Sequence, residues 1–129
     1  MHLELLEITK RLLNAIHEGD LQSYRDLTAV DLTCYETDVA PYRIVGVDFH
    51  IELMRTMSEN KAFAPLVRFD MLTPNVQIYE DTAIVTYTRS MTYSGETAPF
   101  WRAFNETRVF HKFGAEWKMV HFHRSEAPV

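Results

Sequence analysis

The sequence predicts an α+β domain in which helices come first and a largely antiparallel sheet follows. Three observations carry this reading. In the first half of the chain apolar residues recur at helical spacing. From Leu66 onward they alternate with the two-residue period of strands. The helical segments precede the strands instead of interleaving with them, which argues against a parallel βαβ arrangement.

The first helix rests on Leu5, Ile8, Leu12 and Ala15/Ile16, with Glu4, Glu7, Lys10, Arg11 and Asn14 on the opposite face. Gly19 ends it, and Asp20 caps a shorter second helix through Leu21, Tyr24 and Leu27. A short strand at about Leu32–Glu36 follows, then a loop over Thr37–Val45 broken by Pro41. Asp48 is the expected N-cap of a third helix through Phe49, Ile51, Leu53, Met54 and Met57, fading near Asn60. The expected later strands are Leu66–Leu72, Val76–Tyr79, Thr82–Tyr93, Trp101–Lys112 and Glu116–Arg124. Turns are expected at Thr73-Pro74-Asn75, Glu80-Asp81, Ser94-Gly95 and near Gly114.

The 129 residues suit one domain, residues 1–129, and leave no room for a second catalytic lobe. Hydrophobic content of 47% supports an ordinary core. The net charge of −5, without a Lys/Arg run, argues against nucleic acid and against an anionic membrane surface. One cysteine, Cys34, rules out an intrachain disulfide, and its strand context suits a small buried filler in a reducing compartment. The amino terminus lacks the apolar region of a signal peptide, and no apolar run approaches the ~20 residues of a membrane span. The expected location is cytoplasmic.

Five strings stand in order along nearly the whole chain: LLNAIHEGDLQSYRDL, GVDFH, LTPNVQIYEDTAIVTYTR, NETRVFHK and EWKMVHFHRS. In content and spacing they resemble the association (hub) domain of calcium/calmodulin-dependent protein kinase II. HFHRS following an E-T-R-V strand is the most specific part, and the helical string the least. The family lies within the nuclear transport factor 2-like, or SnoaL-like, fold group. The resemblance implies a cone-shaped half-barrel, a curved antiparallel (mixed) sheet whose concave face is closed by N-terminal helices. It also implies a homo-oligomer, stacked rings of about ten or more subunits, with no kinase attached. There is no Gly-rich nucleotide loop, no H-R-D and no D-F-G, so phosphoryl transfer is not expected. The first helix mixes acids and bases, so calmodulin binding is not carried over.

Arg89, Arg108 and Arg124 fall in three successive strands, each on an otherwise rather apolar alternation row. A two-residue Gly114-Ala115 loop would put Arg108 and Arg124 on opposite faces. A three-residue Lys112-Phe113-Gly114 loop puts them on one face, with glycine where a left-handed residue is needed, and is the favoured reading. Buried guanidiniums keep their charge and must be compensated. Glu106 sits beside Arg108 and neutralises one; Glu36 is a further candidate. The remainder call for an anion, a carboxylate or phosphate held bidentately. The alternative is that each arginine reaches a sheet edge and pairs with a surface acid. The resemblance favours the pocket, because family arginines at the matching positions line one.

His50 is the remaining candidate ligand-binding residue. The resemblance places it at the pocket mouth, where it would hydrogen-bond a bound acid; as a helix-start residue it would instead face solvent. His121 and His123 form an H-x-H, but His111, the only nearby third ligand, would face Ala115 in the favoured register, so no metal is expected. No cofactor is expected either. Phe100, Trp101 and Phe104 read as core filling or as a subunit contact. Met57 departs from the large aromatic that the family tends to carry late in the third helix. The implied function is an oligomerisation module with an anion pocket. The alternatives are a SnoaL-like isomerase, cyclase or hydratase using that pocket, or a carrier of small acids. An enzyme needs a general base, and only Asp38, Asp70 and His50 are candidates.

Overall fold

Leu5, Ile8, Leu12 and Leu13 are all buried on one side of a single helix, so the apolar stripe in the sequence becomes the face that covers the sheet. The computed structural model describes residues 3–59 and 65–128. In chain order the elements are α1 (Leu3–Glu18), α2 (Leu21–Asp26), β1 (Thr28–Glu36), β2 (Ile44–Val45), α3 (Asp48–Glu59), β3 (Leu66–Tyr79), β4 (Thr82–Tyr93), β5 (Phe100–Phe113) and β6 (Glu116–Ala127). Six strands form one open sheet in the order β2-β1-β6-β5-β4-β3. The β1–β6 pair is parallel and the others are antiparallel. The predicted α+β class with a mixed sheet is what the chain adopts, although β1 and β2 stand between α2 and α3.

α1 stops where Gly19 takes a φ of 69°, a left-handed conformation that costs glycine little. Asp20 then caps α2, accepting from the Ser23 backbone N–H at 3.1 Å, as expected. Asp48 departs from its expected role. The first bonds of α3 run from the His50 and Ile51 N–H groups to the Val47 carbonyl, so Asp48 is already helical and pairs with Arg25 at 3.4 Å. The expected fading of that helix near Asn60 lies outside the described residues.

Thr73-Pro74-Asn75 is not a turn. β3 runs through it as one strand with a bulge: Leu72 faces Thr88 and Asn75 faces Thr86, while Thr73 sits at a φ of 47°. The presumed loop before α3 contains the short strand β2, whose Ile44 faces Cys34.

The β5–β6 hairpin corrects a further expectation. Phe113 faces Glu116, so the loop is the two-residue Gly114-Ala115, with positive φ at Gly114 alone. That loop should have separated Arg108 from Arg124. It does not, because the register slips by one between the pairs Val109–His121 and Phe110–Met119. Val120 is the extra residue, and beyond it Arg108 faces Phe122 and Glu106 faces Arg124. Both arginines reach one face through a bulge in β6, not through a longer loop. His111 faces Lys118, not Ala115.

The core lies between the helices and this inner face. On β4 it takes Ala83, Val85, Tyr87 and Met91; on β5 and β6 it takes Phe104, Phe110, Met119 and Phe122. Among the described residues no helix is long and apolar enough to cross a membrane.

Candidate functional site

Strand alternation places Tyr87 and Arg89 on the same row of β4 as the core residues Ala83 and Val85. Across the ladder Arg89 faces Phe104, Tyr87 faces Glu106 and Val85 faces Arg108. Two arginines and one glutamate are thereby set into the core face, and all three are buried.

Glu106 holds both arginines. Its Oε2 accepts from Arg89 Nη2 at 2.5 Å, and its Oε1 accepts from Arg108 Nη2 at 3.1 Å. The Tyr87 hydroxyl donates to Glu106 Oε1 at 2.6 Å and accepts from Arg108 Nε at 2.7 Å. Burial alone would raise the Glu106 pKa, but Arg108, Arg89 and Tyr87 outweigh it and hold the carboxyl at about 2. Arg108 also lies over the Phe122 ring at 4.7 Å and donates from Nη1 to Met119 Sδ at 3.3 Å. Arg89 Nη1 is 3.1 Å from His17 Nε2, which must accept because arginine cannot. Burial first, and the Arg89 charge second, lower the His17 pKa to about 4. Among the described residues Arg89 Nε has no hydrogen-bond partner.

Arg124 shares this face but points to its rim. It donates to Asp38 Oδ2 at 2.7 Å and Oδ1 at 3.3 Å, lies 3.4 Å from Glu36 Oε2, and stacks over Phe104 at 4.4 Å. Its side chain is 17% exposed, in contrast to the sealed Arg89 and Arg108. Glu36 also hydrogen-bonds His50 Nε2. His50 is buried, which corrects the solvent-facing alternative, and it is tied to Glu36, itself a partner of Arg124.

The three guanidiniums thus meet three carboxylates, Glu106, Glu36 and Asp38. Asp38, which sequence reasoning had considered only as an acid or base, supplies Arg124 with a counter-charge, while Arg89 and Arg108 share Glu106 alone among the described residues. Sequence reasoning also missed Tyr87 and His17. Tyr87 was visible on the Arg89 row, but its role depends on register; His17 comes from α1, and no local signal points it at β4. An open groove of about 1140 Å³ between α1 and β3 is lined by Lys10, Asn14, His17, Phe69, Asp70 and Met71, among others. His17 connects it to Arg89. Asp70 is engaged with Arg68 at 2.8 Å.

The other nominated residues divide. His121 bonds Thr33 Oγ1 at 2.8 Å on the outer face, and His123 lies beside Tyr35. The aromatic group splits: Phe104 is buried under Arg124, Phe100 stacks on Tyr93, and Trp101 projects from the other row. Met54 is buried, whereas Met57 is exposed.

The family model described as the calcium/calmodulin dependent protein kinase II association domain matches residues 1–128. The rabbit (Oryctolagus cuniculus) calcium/calmodulin-dependent protein kinase type II subunit delta is 34% identical over 130 residues. That match takes in 97% of this chain but only 24% of the relative's length. The crystal structure of the S. rosetta CaMKII hub superposes with a TM-score of 0.83 at 33% identity, covering 95% of this chain and 94% of that one. An NTF2-like protein from Cytophaga hutchinsonii, 18% identical, shares the fold with a TM-score of 0.80 over 98% of each chain. With a sheet and helices that superpose on a kinase hub and a family match from end to end, this chain belongs to the calcium/calmodulin-dependent protein kinase II association domain family.

Proposed function

We propose that the chain is a self-association module that builds a homo-oligomer of about ten or more subunits. The observation that carries this reading is the uncovered outer face of the sheet. The helices protect the inner rows, while Tyr35, Val45, Leu72, Tyr79, Trp101 and Phe113 stand exposed on outer rows; Tyr79 and Trp101 are each 60% exposed. Large apolar side chains left in water across one sheet face mark a contact surface. Membership in an association-domain family supports the same reading, as does the S. rosetta relative, a CaMKII hub. Native mass spectrometry at micromolar concentration will give one dominant particle of about ten or more chains. A clean monomer sinks the proposal.

The inner face is proposed to receive a small carboxylate or similar anion at Arg124, the one guanidinium of the three with access to solvent. The incoming carboxylate replaces Asp38 on a guanidinium that already offers two aligned donors. Arg89 and Arg108, one acid short between them, add attraction from beneath. At ten times its Kd such a ligand raises stability by about 1.4 kcal/mol through mass action. The thermal midpoint will therefore rise with added acetate or a longer monocarboxylate. It will not rise in Arg124→Ala, and it will still rise in Arg11→Ala on α1. Equal shifts in Arg124→Ala and the parent remove Arg124 from the site.

The isomerase-type alternative would need one of its nominated bases released from its present partner. Asp38 is bound to Arg124, Asp70 to Arg68 and His50 to Glu36, so each nominated base is already engaged.

A further inference from the structure

Behind the arginine cluster three ligating side chains converge for which the hub reading has no use. Cys34 and Glu36 are two residues apart on β1, so both point to the inner face. His50 enters from the first turn of α3. Its Nε2 is hydrogen-bonded to Glu36 Oε1 and lies 3.7 Å from Cys34 Sγ, which is 3.9 Å from Glu36 Oε1. All three ligating atoms lie within 4.8 Å of one another, and all three residues are buried.

We propose that Cys34, Glu36 and His50 form a binding site for a thiophilic divalent cation, Zn²⁺ being the natural occupant. One sulfur, one imidazole nitrogen and one carboxylate oxygen are a ligand set that zinc accepts, leaving a fourth position for water. The distances agree. Tetrahedral zinc with ordinary bond lengths sets S···N and S···O at about 3.5 Å and N···O at about 3.3 Å. The sulfur separations are already within a few tenths of an ångström of that. Only the hydrogen-bonded His50–Glu36 pair must open, by roughly an ångström, to admit the ion.

Zinc would take Cys34 as thiolate, Glu36 as carboxylate and His50 as neutral imidazole through Nε2, so two of the three ligands bring negative charge against the dication. Glu36 can give up Oε1 because Arg124 lies against its other oxygen, Oε2, and has Asp38 as a second partner. Cys34 is fully buried in the core, yet its thiol faces a carboxylate and an imidazole at 3.9 and 3.7 Å. Among the described residues His50 Nδ1 is buried without a hydrogen-bond partner, and the ring is engaged at Nε2.

Cobalt(II) added to metal-stripped full chain tests this, because thiolate-to-cobalt charge transfer absorbs in the near ultraviolet and Cys34 is the only cysteine. The expected result is a band that saturates at one cobalt per chain, bleaches on adding Zn²⁺ and is absent in Cys34→Ser. His50→Gln will weaken binding at least as much as the about 10–100-fold seen when ligand-supporting groups are lost. The double variant His121→Ala/His123→Ala, which removes the exposed outer-face imidazoles, will keep the band. No band in the parent overturns the proposal, and so does a band that survives His50→Gln at unchanged affinity. The parent result needs no variant to fold, and it is independent of whether Arg124 binds a carboxylate.

Discussion

Glu106→Ala will lower the stability of the protein by about 3–5 kcal/mol, the cost of removing the sole counter-charge from a buried ion pair. Here one carboxylate serves two guanidiniums, both sealed from solvent, and neither arginine can shed its proton. Tyr87 is no substitute, because its hydroxyl is neutral and burial pushes its pKa up to about 12. The loss comes with a distinctive signature. Truncation leaves a space beside two unpaired guanidiniums, and formate or acetate fits it in both size and charge. Thermal midpoints at fixed protein concentration will show a deep deficit that formate largely repairs in Glu106→Ala. Glu126→Ala, which breaks the exposed Arg102–Glu126 pair, will show neither deficit nor repair. A Glu106→Ala protein as stable as the parent, with no response to formate, would mean that the arginines have another counter-charge.

The elements that could be read from the sequence are those whose signal is local. β4 came out at Thr82–Tyr93, because five alternating inward residues run up to a tight turn at Glu80-Asp81. β3 was divided in two because Thr-Pro-Asn has turn chemistry. In the sheet the same residues form a bulge, since β4 continues past them and supplies the pairing. The parallel β1–β6 pair joins residues 88 positions apart and leaves no local trace. The shared face of Arg108 and Arg124 was anticipated for the wrong reason. A tight loop and a bulge at Val120 together give the parity that a longer loop would have given alone.

The candidate site divides along the same line. Alternation was enough to mark Arg89, Arg108 and Glu106, because a charged residue in an apolar row is conspicuous, but that Arg89 shares a face with the other two rested on the family resemblance. Their partners were not legible. Tyr87 reads as one more core aromatic until register sets it opposite Glu106, and Asp38 reads only as a candidate acid or base until Arg124 reaches it. Cys34, Glu36 and His50 are unremarkable singly and meet only because α3 packs behind β1. Three carboxylates drawn from two segments, the end of β1 with the turn after it and β5, explain how this face tolerates three arginines. None of those pairings is a sequence-neighbour effect except Glu106 with Arg108.

Between pH 7 and pH 4 the parent protein will lose about 2–3 kcal/mol more stability than His17→Gln, an order of magnitude set by linkage for a half-buried group. In the folded state the His17 pKa is lowered to about 4, by burial first and then by Arg89, with smaller contributions from Arg124 and Arg108 and partial relief from Glu106. Unfolded, it titrates near 6.5. Above pH 6.5 neither state carries the proton and the residue is neutral in its effect. Below 6.5 the unfolded chain takes up a proton that the folded chain refuses, so stability falls by about 1.4 kcal/mol per pH unit until the folded pKa is reached. Past about pH 4 both states are protonated and the loss levels off. Glutamine keeps an oxygen that can accept from Arg89 but cannot titrate, so the variant isolates this one proton. The acid losses at Glu106 and Glu36, whose folded pKa values are lowered, begin as pH falls below the ordinary carboxylate range and are common to both proteins. Urea midpoints at matched concentration, taken at half-unit pH steps, will diverge below pH 6.5 and run parallel again near pH 4. Curves that stay parallel throughout would place the His17 ring outside the field of the buried arginines.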